Sequence, residues 1–265
     1  MFKHIRSFVG KLFNENQQMW ISMRLSNFFW YMRKYFMGVE INYPNEFLKN
    51  YSTIKSFSSQ DKERNFTFYQ LIKMHNEIFK GKKTNLIEFG VSKGGTLTTL
   101  SKFVKDESHI YALDSFGYHA DKIKDNVTEY DPHYLGQYKP FTKQTRFKNF
   151  DYLTLEKDLN EILVKKKSKL DIIKCYFPDK IDQKKYEEIG SLKYSFVHAD
   201  FDLYKPTLEV IKFIIPRLEK NAILLIDDYN LINQEGVKWA VRDTGININK
   251  GIQTPSGQLI FFFYE

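Results

Sequence analysis

Two stretches, "VHADFDLY" and "LLIDDY", set Asp200, Asp202, Asp227 and Asp228 directly after apolar runs that read as buried strand. A carboxylate buried there without a partner is costly, so something must compensate these acids. In open α/β sheets the carboxyl ends of neighbouring strands line the ligand crevice, and two such ends would deliver these acids to one place. Converging carboxylates call for a cation. Hard oxygen ligands select Mg²⁺, Ca²⁺ or Mn²⁺, and a few carboxylates completed by water and substrate oxygens suit Mg²⁺ best. Asp202 also fits an N-cap, since it precedes a helix at "YKPTLEV". His198 lies two residues before Asp200 and reads either as a base or as a hydrogen-bonded core histidine.

A second group surrounds "EFGVSKGGT", where a strand ending in Glu88 and Phe89 turns into a helix. Glycines at such a turn let the backbone approach a ligand, and the helix N-terminus offers free N–H donors. The dinucleotide fingerprint G-x-G-x-x-G is broken: Ser92 stands at its second position and Gly94 and Gly95 are adjacent, which disfavours a nicotinamide cofactor. Asp114 ends the next strand at the offset of about 20 residues at which an acid reaches ribose hydroxyls.

The elements that must carry these residues alternate along the chain. "NLIEF", "HIYALD", "LDIIKCYF", "YSFVHAD" and "AILLIDD" read as strands, "GTLTTLSKFVK" and "YKPTLEVIKFIIPRLEK" as helices, and "QLIFFFYE" as a closing strand. This order implies an α/β fold with a parallel sheet and helices on both faces. "NFTFYQLIKMHNEIF" spaces Phe68, Leu71, Ile72, His75 and Ile78 on one helical face and introduces the main domain. Residues 1 to about 40 mix aromatics with Lys and Arg and read as amphipathic helices, docking on their own domain or a twin subunit, or lying on an anionic membrane surface. A helical extension over 1–50 and a main domain over 51–265 follow, with a tyrosine-rich insertion at about 118–150 that reads as a functional loop or as disordered surface.

The 265 residues carry a formal charge of +8, but the lysines are scattered and no nucleic-acid recognition module accompanies them, so nucleic acid is not an expected partner. No apolar run is long enough to span a bilayer, and the single cysteine, Cys175 in "IIKCYF", reads as core. With no signal-peptide pattern, the expected compartment is the cytoplasm.

Taken in order, "NLIEFGVSKGGTLTTL", "YALDSFGY", "CYFPDKI", "YSFVHADFDLYKPTLEVIKFIIPRLEKNAILLIDDYN" and "GVKWAVRD" resemble the macrocin O-methyltransferase (TylF) family over roughly residues 80–265. The resemblance implies a Rossmann-like class I methyltransferase with a mostly parallel seven-stranded sheet, dependent on S-adenosylmethionine and Mg²⁺ and acting on sugar hydroxyls. The acid layout is also similar to that of catechol O-methyltransferase. By this resemblance Glu88, Gly90, Gly94, Gly95 and Thr96 shape the methionine pocket, and Asp114 holds the ribose. Ser115 and Phe116 lie near the adenine, and Asp179 of "CYFPDKI" belongs to the same cofactor site. Asp200, Asp227 and Asp228 hold the metal, with Asp200 or His198 as base, and the protein is expected to be a dimer. Phe201, Lys205 and "EKNA" depart from the family pattern beside the site, where substrate identity is set. The alternative is a non-catalytic protein that works at a membrane surface through its N-terminus.

Methyl transfer to a hydroxyl sets an energetic requirement. A free carboxylate titrates near 3.9 and an unactivated hydroxyl near 15.7, a gap worth roughly 16 kcal/mol. A carboxylate alone is too weak a base. A divalent cation chelating neighbouring hydroxyls would narrow the gap and orient the acceptor, so the expected partner is a sugar or glycan with a vicinal diol.

Overall fold

The computed structural model describes residues 42–57, 62–116, 126–131, 150–231 and 234–264. These belong almost entirely to a compact unit, Pro44–Glu265, and the boundary expected at residue 50 falls inside its first helix. The helices expected in residues 1–40, and most of the 118–150 insertion, lie outside the described residues.

Two helices lead in, α1 (Asn45–Phe57) and α2 (Lys62–Ile78). The alternation then runs β1 (Thr84–Phe89), α3 (Gly95–Phe103), β2 (Ser108–Asp114), α4 (Tyr152–Val164), β3 (Lys169–Lys174), α5 (Gln183–Gly190), β4 (Tyr194–Ala199), α6 (Tyr204–Ile214), β5 (Leu218–Ile226), α7 (Glu235–Asp243), β6 (Ile252–Gln253) and β7 (Leu259–Phe263). The seven strands form one sheet in the order β3-β2-β1-β4-β5-β7-β6. β1 to β5 are parallel; β7 runs antiparallel to β5, and β6 antiparallel to β7. The parallel strands are those that the alternation implied, and the mostly parallel seven-stranded Rossmann-like sheet is the one that the resemblance implied.

Side chains that alternate along the strands divide between two helical layers. Ile87, Phe89, Val197, Ala199, Leu224 and Ile226 pack with Ile189 of α5, Val210 and Ile214 of α6 and Val237 of α7 in one core. The intervening residues face the other way: Phe68 of α2 meets the rings of Phe196 and His198 edge-on, with centroids 5.6 and 5.0 Å away. Glu88 and His198 therefore lie on the α2 side of the sheet, a placement that matters for the site. The helical face read for α2 is buried at Phe68, Leu71, Ile72 and His75, with Ile78 half-buried.

Several boundaries differ from the sequence reading. α4 and α5 each start at an aspartate, Asp151 and Asp182, whose side chain accepts a first-turn N–H, a cap signal that the sequence reading passed over. The strand expected through "LDIIKCYF" ends at Lys174; Cys175 then donates its N–H to the Asp114 carbonyl and is buried, its thiol pushed up to about 12 by burial. It is a core residue, as read. α6 stops before Pro216, and β5 begins earlier than "AILLI", passing Asn221 at φ 66° where the pairing with β4 slips. β6 is two exposed residues with no apolar pattern to announce it.

His75, fully buried with Nε2 2.8 Å from Ser195 Oγ, is held down to about 4 chiefly by burial. Its folded value lies below its unfolded value, so its contribution to stability is present above about 6.5 and is lost as pH falls through about 4. The expected loss is about 3 kcal/mol. Urea unfolding at pH 7.5 and pH 4.5 should show the native protein losing that much more than His75→Gln; equal pH dependence would contradict the assignment.

Candidate active site

The turn after β1 is built for close approach. Gly90 has φ 86°, and a Cβ there would lie 1.8 Å from the Asp200 carbonyl oxygen, so only glycine lets the β1 turn pass against the end of β4. Gly94, at φ 88°, caps α3 without a side chain, so the first N–H groups of that helix carry no side-chain cap. Gly95 and Thr96 form its buried first turn. Asp114, at the end of β2, accepts the Ser92 N–H on Oδ2 and the Phe116 N–H on Oδ1, both at 2.7 Å, and so ties the glycine turn to the next strand end. Ser115 is half-buried beside it, and the Phe116 ring stacks on Tyr152 at 4.8 Å and 7°.

The carboxylates follow on the neighbouring strands. β1 lies between β2 and β4, and β4 pairs with β5, so Glu88, Asp200 and Asp227 end three adjacent strands. Glu88 is fully buried: Oε1 accepts from the Thr96 hydroxyl and lies 3.2 Å from His198 Nδ1, while Oε2 has no partner among the described residues. On its other edge His198 Nε2 stands 3.9 Å from Asp227 Oδ2, an ion-pair separation rather than a hydrogen bond. Burial alone would lower the imidazole, but the flanking Asp227 and Glu88 carboxylates outweigh it and hold it up at about 10. In the free protein His198 is thus a buried cation between two acids.

The compensation that the acids require comes mostly from a residue that the sequence did not single out. Arg64, in the first turn of α2, places Nη2 3.0 Å from Asp227 Oδ1 and 2.5 Å from Asp228 Oδ1, and its Nε donates to the Ser256 carbonyl at 3.0 Å. Burial disfavours its charge, yet Asp227 and Asp228 raise it well above the ordinary arginine value. Asp227 in turn stays below the usual carboxylate range, because Arg64 and His198 outweigh its burial. Nothing in the local sequence marks Arg64: it lies 163 positions before Asp227, and only the packing of α2 on the sheet joins them.

Asp200 differs. No hydrogen bond reaches its carboxyl among the described residues, and burial together with Asp227, Asp228 and Asp202 drives it well above the carboxylate range. Its oxygens gather with those of Asp202 and Asp228, and in a second grouping with His198 and Asp227, every ligand atom within 4.8 Å of the others in its group. The expected trio Asp200, Asp227 and Asp228 therefore spans both groups. Asp202, read as a helix cap, is not the cap of α6. It adopts φ 60° and accepts from Gln234, and the first N–H of α6, that of Tyr204, goes to Asp131 Oδ1 at 2.9 Å. Asp131 is buried within the insertion's described segment, held also by Thr128, and a Cβ on Gly236 would strike it at 1.9 Å. Asp179 is exposed on the turn after β3 and does not join the buried group.

Both expected ligands find matching chemistry. A buried Glu88 oxygen with no partner among the described residues suits the ammonium, and the uncapped start of α3 the carboxylate, of a cofactor with an amino-acid end. The donors around Asp200 are hard oxygens facing a deficit of positive charge, which suits Mg²⁺ or Mn²⁺.

No protein-family model and no curated protein matches the chain. Solved structures do. The calicheamicin methyltransferase CalS11 aligns with a TM-score of 0.55 at 17% identity, covering 85% of this chain and 95% of that one. The O-methyltransferase NovP aligns with a TM-score of 0.52 at 16% identity, covering 79% and 83%. The chain therefore has the Rossmann-like methyltransferase fold.

Removing the central cation should expose its structural weight. His198→Gln leaves Glu88 and Asp227 facing one another and is expected to destabilise by about 3–5 kcal/mol in chemical denaturation. Adding Glu88→Gln to that variant should recover part of the loss; strictly additive losses would mean that the two do not interact.

Proposed function

We propose that the protein is an S-adenosylmethionine-dependent O-methyltransferase, assisted by Mg²⁺, that methylates a hydroxyl of a sugar, a glycosylated small molecule or a polysaccharide precursor. The observation that carries this reading is the meeting of Asp200, Asp202 and Asp228 within 4.8 Å, directly against the glycine turn at Gly90. The fold shared with CalS11 and NovP, both methyltransferases, supports it.

The residues divide the work. Glu88, with one free buried oxygen, and the uncapped start of α3 hold the amino-acid end of the cofactor, and Asp114 adds acceptor oxygens for the ribose. When bound, the cofactor supplies a methyl group on a sulfonium, and Mg²⁺ lowers the pKa of an acceptor hydroxyl beside Asp200, Asp202 and Asp228. The cofactor would give up its methyl group and leave as a neutral thioether, so the acceptor hydroxyl's proton must pass to a base of this chain. Asp200 takes that proton. Its carboxyl lies in the acidic group against the glycine turn and takes no hydrogen bond among the described residues, which leaves it open to accept the proton. His198, already protonated and fully buried, orients Glu88 and Asp227 instead. Positioning two neighbouring hydroxyls against one methyl group supplies much of the remaining rate.

Methyl transfer from labelled S-adenosylmethionine to a panel of nucleotide sugars with vicinal diols, with and without Mg²⁺, tests the assignment. Asp200→Asn should lower turnover by roughly 10²–10⁴-fold while S-adenosylhomocysteine still binds. Full turnover by Asp200→Asn on any accepted sugar would sink the role given to that residue.

A further inference from the structure

Arg64 holds a position that a divalent cation would also seek. Its guanidinium bridges Asp227 and Asp228, while Asp228 is one of the three acids gathered around Asp200. Two cations on shared carboxylates in a buried site repel strongly, because little water remains to screen them. The clamp is also directional: Nε is anchored on the Ser256 carbonyl, so the fork is held toward the carboxylates by the turn between β6 and β7, which Thr254 and Gln258 close by two mutual hydrogen bonds.

We propose that Arg64 is a resident counter-cation that stabilises the acidic cluster in the free protein and gives way when a divalent cation binds. Metal affinity is then set by the release of Arg64 as much as by the ligands. The inference rests on the metal-assisted reading above and concerns this chain's own control of it. In the free protein the guanidinium bridges the two strand-end acids, and α2 is pinned across the sheet to the β6–β7 turn. On metal binding that pin is withdrawn as the site becomes competent.

Mn²⁺ binding, read by electron paramagnetic resonance on the full-length protein, tests this without recourse to turnover. Arg64→Gln should bind Mn²⁺ at least tenfold more tightly than the native protein, and its melting temperature should rise more on adding Mg²⁺. Arg64→Lys keeps the charge but loses the fork that spans both acids and Ser256, and should fall between the two. In the unaltered protein, the Arg64 Nε–H resonance should shift on titration with Mg²⁺ as its bond to Ser256 breaks. If the native protein binds Mn²⁺ and the variants bind it no more tightly, or the Arg64 resonance stays fixed at saturating Mg²⁺, the counter-cation role is wrong and the metal reading stands. If none of the three proteins binds a divalent cation, both fall together.

Discussion

The burial of charge at the carboxyl ends of β1, β4 and β5 is the constraint from which the rest of this structure follows. Glu88 and Asp227 are buried on adjacent strands with His198 between them, and Arg64 closes the row from the far side of Asp227. Acid, cation, acid, cation: each member lowers the cost of burying its neighbours, and no member could be buried alone at tolerable cost. The row also joins the two halves of the site. Thr96, at the start of the helix beside the glycine turn, bonds Glu88, and Asp228, at the acidic cluster, bonds Arg64. One connected polar network thus runs from the glycine turn to the acidic cluster.

This constraint explains features that otherwise look incidental. α2 must lie on the face of the sheet toward which Glu88 and His198 point, because it brings both Arg64 and the Phe68 ring that packs against the imidazole. The backbone at Gly90 must come within contact of Asp200, which no residue with a side chain permits. Asp200 is left outside the row of paired charges, and its raised carboxyl marks it as the group that awaits a ligand or a proton.

Much of this was legible in the sequence, and the remainder was not, for physical reasons. Strand ends that carry acids after apolar runs are visible because both the run and the acid are local, and so Glu88, Asp114, Asp200, Asp227 and Asp228 could be named and the parallel order of their strands inferred. Arg64 and Asp131 could not. Each acts across the fold, one over 163 residues and the other at the start of α6 from within a tyrosine-rich insertion without period. Local caps were also misassigned: Asp202 has the residue type and position of an N-cap, but a left-handed backbone turns it toward Gln234 while Asp131 takes its place. His198 was open between base and core histidine, and only its two carboxylate neighbours, brought from other strands, make it a cation. Sequence spacing conveys what a strand end presents and is silent on what a distant helix lays across it.

The measurement that bears most directly on this account is calorimetric titration of the full-length protein with S-adenosylhomocysteine, once with Mg²⁺ and once with EDTA. Because the glycine turn, Glu88 and Asp114 stand apart from the carboxylates gathered around Asp200, the account predicts micromolar binding in both conditions. No binding in either would contradict it and leave the buried charges a purely structural device.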